Sequence, residues 1–524
     1  MNRTSSRRRF LADVATGTLL STLGPTMMSD LGLMSRCFGD DQKSADDTDN
    51  SLTFGSLEPL VCEMQETPAD ALQPRLVEHL RSGTSIQTLV AAGALANART
   101  FGGEDYIGFH TFMALAPALH MSELMPKDMA ALPALKVLYR NANRIQDFGG
   151  RSSETLHAVH AANDASVTQA DLYRLIKEKN TELSEQTLAS IVSKDSLSAL
   201  EALIPSLMDS PEVHRTVLPY RAWDMQRIVG TEHATTLLRQ SLRYCLRVEP
   251  HRRAEWDVNA KLMSELMDEF KLASLQPGQR EMDDATFNAL SEALASLSPK
   301  DAARAAATAL SEGFNPRSVG EAISSAACLL VLRDGGRLPQ WEDRLKPAGC
   351  VHGDSVGVHA SDSANAWRNL AMVTRGQAST TCLLMGAWQV ARDRDGSPAP
   401  LLAQPLPAQH HLNQLSGADS DRLLTLMDEY VQNNLQGHAS AVAYRYAELG
   451  LPATPLFSRL LKYAVSEDGA LHAEKYFHTV WDDFHSSRPT TRARYLAALA
   501  RVTASEYGTP AAGQEQAREL LRST

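Results

Sequence analysis

Four histidines follow a glycine into what reads as the first turn of a helix: His110 after Gly108, His233 after Gly230, His359 after Gly357 and His438 after Gly437. Imidazole moves protons near neutral pH and binds transition metals through a neutral ring nitrogen. Each of these histidines is followed by a small Ala or Thr, which lets neighbouring helices approach closely. If the helices pack about one axis, the four imidazoles converge on a common cavity as catalytic, ligating or proton-transfer groups. Asp362, one turn after His359, is placed to orient that ring, because residues three and four apart share a helix face.

A second pattern has metal-ligand spacing. Glu154, His157 and His160 recur every third residue, with Asp164 following. A helix would stack them on one face, and a Glu-x-x-His step serves helical carboxylate-bridged metal proteins. Leu156, Val159 and Ala161 alongside predict partial burial. Carboxylate and imidazole together suit a divalent metal: iron, zinc or manganese. Glu474, His478, Asp482 and His485, preceded by Asp468 and His472, make a similar stripe. Lys475, Asp483 and Arg488 beside it predict a solvated face. No nucleophile elbow, His-Glu-x-x-His motif, phosphate loop or dinucleotide fingerprint is present.

The elements that must position these groups are helices. From residue 57 onward Ala, Leu, Glu, Arg and Met dominate, apolar residues recur at helical spacing, and period-two β-branched runs are missing. Segments 85–100, 128–145, 168–179, 285–297, 302–312 and 420–434 read as helices. Pro126 and the Ser298-Pro299 pair mark helix starts. Residues 275–280 and 395–411 read as breaks. The fold class is all-α: a multi-helix α/α superhelix or a large helical bundle. At 524 residues the chain exceeds one ordinary core, so two helical lobes, 57–275 and 276–524, are expected.

Net charge is −11, and no basic stripe is present, which argues against nucleic-acid binding. No apolar run after the N-terminus is long enough to span a bilayer. The six cysteines, Cys37, Cys62, Cys245, Cys328, Cys350 and Cys382, form no Cys-x-x-Cys pair. Cys328 could bridge to Cys350 or Cys382; Cys245 and Cys328 sit among apolar neighbours as buried thiols do.

The N-terminus carries Ser6-Arg7-Arg8-Arg9-Phe10-Leu11 before a short, weakly apolar stretch. It resembles a twin-arginine export signal over residues 1–30, cleavable or disordered, with a polar linker at 31–56. Asp13 and the lack of an Ala-x-Ala site depart from that pattern. The resemblance implies the twin-arginine export machinery as a partner and the periplasm or cell envelope as the destination. Separately, the helix around Gly357-Val358-His359-Ala360-Ser361-Asp362 and Trp367, with histidine-bearing helices on either side, resembles the questin oxidase-like group. That resemblance implies a histidine-lined helical cavity used in oxygen-dependent ring cleavage, and carries over no individual catalytic residue. Two functions follow: an exported, metal-assisted oxidoreductase with a site assembled from several helices, or a non-catalytic helical scaffold or binding module of the envelope.

Overall fold

The structure is a computed structural model that describes residues 51–162, 167–251, 256–344, 346–397 and 399–523. The twin-arginine motif, Cys37 and Asp164 lie outside these residues. Among the described residues there are 23 α-helices and no β-strand, so the all-α expectation holds. Local chemistry sets many of the boundaries. Ser298 accepts from the Asp301 amide and Pro299 opens the helix Pro299–Ser311. Thr168 and Asp171 cap each other reciprocally at the start of Gln169–Lys177. At Pro126 the chain makes only a 3-10 turn, and the helix begins at Leu132 with Pro133 in its first turn.

Ten helices build the centre. They are α1 (Ile86–Phe101), α2 (Tyr106–Leu124), α3 (Leu132–Phe148), α4 (Val213–Val229) and α5 (Ala234–Val248). In the second half come α6 (Pro316–Arg333), α7 (Val356–Val373), α8 (Gly376–Asp395), α9 (His472–Ser486) and α10 (Arg492–Glu506). Helices α2, α4, α7 and α9 pack in a closed circuit, with α1, α3 and α5 outside α2 and α4, and α6, α8 and α10 outside α7 and α9. Two of the four come from each half of the sequence, and one apolar core runs through both halves. The site therefore belongs to neither lobe alone.

The helices of the circuit run in the same sense. Along α7 and α9 the contacts advance together: His359 meets His472, Asp362 accepts from Thr479, Asn365 donates to Asp482 and Asp483, and Arg368 donates to Ser486. Along α2 and α9, His110 lies beside His472 and His120 beside His478. Parallel helices bring their positive N-terminal ends together, a repulsive arrangement unless negative charge is supplied. Glu212, which accepts from the first amides of α4 and whose carboxyl is held well below its ordinary pKa, supplies it at that helix.

Two sequence expectations fail here for structural reasons. Residues 154–162 form no helix. Gly149 and Gly150, both at positive φ, end α3, and the amides of Thr155 and Leu156 then bond the carbonyl of Arg99 at the end of α1. Helix α9 is not a solvated face: His472, Glu474, Lys475, Thr479 and Asp483 are buried. The charges on α9 are matched by partners from distant helices, which its own sequence does not reveal. Cys245 and Cys328 are buried free thiols, as their apolar neighbours suggest, and Cys62, Cys350 and Cys382 are free as well, so the possible bridge from Cys328 to Cys350 or Cys382 does not form.

Candidate active site

Four histidines from the four central helices meet at the shared N-terminal end. His110 is 3 % exposed, His214 1 %, His359 7 % and His472 4 %. Nε2 of His110 lies 3.1 Å from Nε2 of His214, and Nε2 of His359 lies 3.3 Å from Nε2 of His472. The rings close a loop, with centroid separations of 4.7 Å (His110–His214), 6.2 Å (His214–His359), 5.4 Å (His359–His472) and 5.4 Å (His472–His110). As the side chains stand, no three histidine, cysteine or carboxylate groups among the described residues gather about one point closely enough to hold a metal ion. The chamber presents two nitrogen pairs side by side.

Hydrogen bonding fixes which atoms face the chamber. Nδ1 of His110 lies 2.7 Å from the Tyr106 carbonyl oxygen, which can only accept, so Nδ1 carries the hydrogen. Burial, then the Lys475 charge and the neighbouring His214, push the His110 pKa well below the ordinary imidazole value. His110 is therefore neutral and turns a lone pair inward. His214 Nδ1 lies 2.9 Å from Glu212. Burial raises the Glu212 carboxyl, but the His214 charge and hydrogen bonds from His214 and Tyr244 outweigh it and bring the pKa to about 2. Glu212 is thus an acceptor and His214 Nδ1 a donor. The 3.1 Å contact then requires a cation, a proton on His214 or a metal ion, because two bare lone pairs repel at that distance.

The surroundings hold this arrangement in place. Glu212 caps α4, accepting from the amides of His214 and Arg215, and it accepts the Tyr244 hydroxyl at 2.8 Å. Tyr106 and Phe109 pack on both His110 and His214, and Phe109 meets Tyr244 edge-on at 5.4 Å. On the other side, burial and the Lys475 charge, with His359, His110 and His352, push the His472 pKa well below the ordinary value. The loop carrying His352 closes over His472 at Gly353. A Cβ there would stand 2.3 Å from the His472 Cβ, so only glycine permits the approach. The Gly353 amide donates to Glu506.

Of the sequence candidates, His110 and His359 both line this chamber, each in contact with His214 and His472. His233 lies elsewhere, against Phe54 in a 3-10 turn. His438 stacks with His411 and Tyr430 on a different face. Asp362 accepts the Thr479 hydroxyl. The set Glu154, His157 and His160 does not form a ligand stripe: Glu154 pairs with the buried Arg99 at 3.1 Å, while His157 and His160 are exposed. His214 and His472 complete the chamber in place of His233 and His438. The preceding glycine was the wrong cue; the shared feature is a histidine within the first turn or so of a helix, three of the four behind a capping Asp105, Glu212 or Ser355.

No family model, no curated protein and no solved structure matches this chain.

Proposed function

We propose that this chain is a metal-dependent oxidoreductase whose site is the chamber of His110, His214, His359 and His472. The contact between His110 and His214 carries the reading: two imidazoles whose Nδ1 hydrogens are already committed meet Nε2 to Nε2 at 3.1 Å. The distances fit. Nitrogens bonded to one ion at ~2.0–2.1 Å stand ~2.9–3.4 Å apart at adjacent positions, and both observed pairs, 3.1 and 3.3 Å, fall in that range. His110 and His214 would supply two ligands as they stand, and His359 and His472 would complete the set after a shift of their side chains, since no three groups among the described residues now gather about one point. Iron or manganese, when bound, would supply electron-transfer and dioxygen chemistry to a neutral nitrogen donor set.

The chain's own residues do the remaining work. Glu212 fixes the tautomer and ring plane of His214, the carboxylate–histidine arrangement usual behind metal ligands. Tyr244 holds Glu212. Tyr106, Phe109 and Tyr244 present an aromatic wall that excludes water from one side, and buried Lys475 places a cation near His110 and His472 to draw an anionic group inward. The resemblance to the questin oxidase-like group supports the oxidative class. Metal analysis and an absorption spectrum of protein purified without an affinity tag test the proposal. Stoichiometric iron or manganese is expected; no bound metal, with none taken up on reconstitution, would leave the pair sharing a proton and end the metal reading.

Export is part of the same proposal, supported by Arg7, Arg8, Phe10 and Leu11. Changing Arg7 and Arg8 together to lysine is expected to retain the protein inside the cytoplasmic membrane. Cell fractionation checks this, and an unchanged distribution would remove the export assignment.

A further inference from the structure

A second polar layer lies deeper in the same bundle. Arg221 stands seven residues after His214 on α4, on nearly the same face and ~10 Å further along the axis. It is 2 % exposed, and Nε and Nη1 of its guanidinium are buried without a hydrogen-bond partner. Its one described contact is the Tyr220 ring, 5.1 Å away. At a similar depth on α9 and α2, His478 and His120 meet edge to face with centroids 4.9 Å apart, and Nδ1 of each is buried without a partner. Burial, the Arg221 charge and His120 push the His478 pKa well below its ordinary value, so the guanidinium and this imidazole act on each other.

Carboxylates are near, but they are committed. Asp482 accepts from Arg368, Asn365 and Asn369, and Asp224 pairs with Arg227. A buried guanidinium with two nitrogens that lack any hydrogen-bond partner is a costly arrangement in a protein interior, and the His478 on which its charge acts, with His120 beside it, carries an unused ring nitrogen as well. We propose that Arg221, His120 and His478 form a binding site for a small oxyanion, a carboxylate or a phosphate group, independent of the histidine chamber. Arg221 supplies the charge and N–H donors, and the two imidazoles supply further donors. The half-buried His120 and Trp481 mark the side from which the anion enters.

Thermal unfolding and calorimetric titration of the full chain with sodium phosphate and with sodium acetate, at ionic strength fixed by sodium chloride, test this. A saturable rise in the unfolding midpoint is expected, abolished by Arg221→Met and shifted at least tenfold in concentration by His478→Gln. A response to phosphate alone assigns a phosphate group, and a response to acetate admits a carboxylate. Without either anion, Arg221→Met is expected to be no less stable than the parent, since it removes buried N–H groups that have no hydrogen-bond partner. If Arg221→Met fails to fold, Arg221→Lys carries the test, with a weakened but measurable response. No saturable response to either anion, or an undiminished response in the Arg221 variants, overturns the proposal.

Discussion

His214→Gln protein is expected to purify without bound metal, whereas the parent retains about one ion per chain. The substitution keeps a polar side chain of similar length that can still donate to Glu212, but it replaces the inward imidazole nitrogen with a poor ligand. Glu212→Gln tests the support behind that nitrogen. It leaves the imidazole and removes the charge that orients it, so metal affinity should fall about tenfold to a hundredfold. Tyr244→Phe removes only the hydroxyl that steadies Glu212 and should cost less. Acid stability of the metal-free protein, in which His214 carries the proton, gives a second readout. The Glu212 carboxyl is depressed to about 2 from an ordinary 4.5. Its contribution is therefore complete above pH 4.5 and lost as pH falls from there towards 2. That contribution is about 3 kcal/mol, so the acid limb of the unfolding curve should flatten in Glu212→Gln. His214→Gln protein with the parent's metal content would show that the chamber is not the metal site.

Lys136→Met is expected to lower stability by about 3–5 kcal/mol, the cost of orphaning a buried charge. Lys136 reaches from α3 to the carbonyls of Ala464 at 2.9 Å and Glu467 at 2.6 Å. Its ammonium lies 2.5 Å from Oε1 of Glu474, which is fully buried. This is a charge contact rather than an aligned hydrogen bond, since neither Glu474 oxygen has a hydrogen-bond partner. Glu474 stands two residues after His472, so the contact anchors the start of α9 and with it one wall of the chamber. Lys136→Met with Glu474→Gln removes both charges and should recover much of the loss. Unfolding midpoints of the single and double variants decide the matter. Equal losses in both would mean that packing, and not charge pairing, sets the cost.

The two halves of the chamber were unequally visible in the sequence. His110 and His359 stand out because a glycine precedes each near a helix start. His472 was visible only as part of a charged stripe, and that stripe looked wet because charge on a helix usually is. Its partners are Lys136 on α3, Arg368 on α7 and Asp362 on α7, each more than a hundred residues away. The Glu154, His157 and His160 spacing had the opposite fault. Its periodicity was sound, but two glycines and the pull of Arg99 prevent the helix on which that periodicity depends.

Helical class, cap positions and the breaks at 275–280 and within 395–411, whose ends are helical, were settled locally, by propensity, by Ser, Thr and Asp caps, and by proline and glycine. Such interactions span only a few residues, so composition and spacing suffice to read them. Which histidines meet was settled by tertiary packing. His110 and His214 are 104 residues apart, and His359 and His472 are 113 apart. Their meeting depends on four parallel helices packed in one circuit, two from each half of the chain. No short-range signal encodes that convergence, because the free energy that fixes it is released only when the helices from both halves of the chain close on a common core.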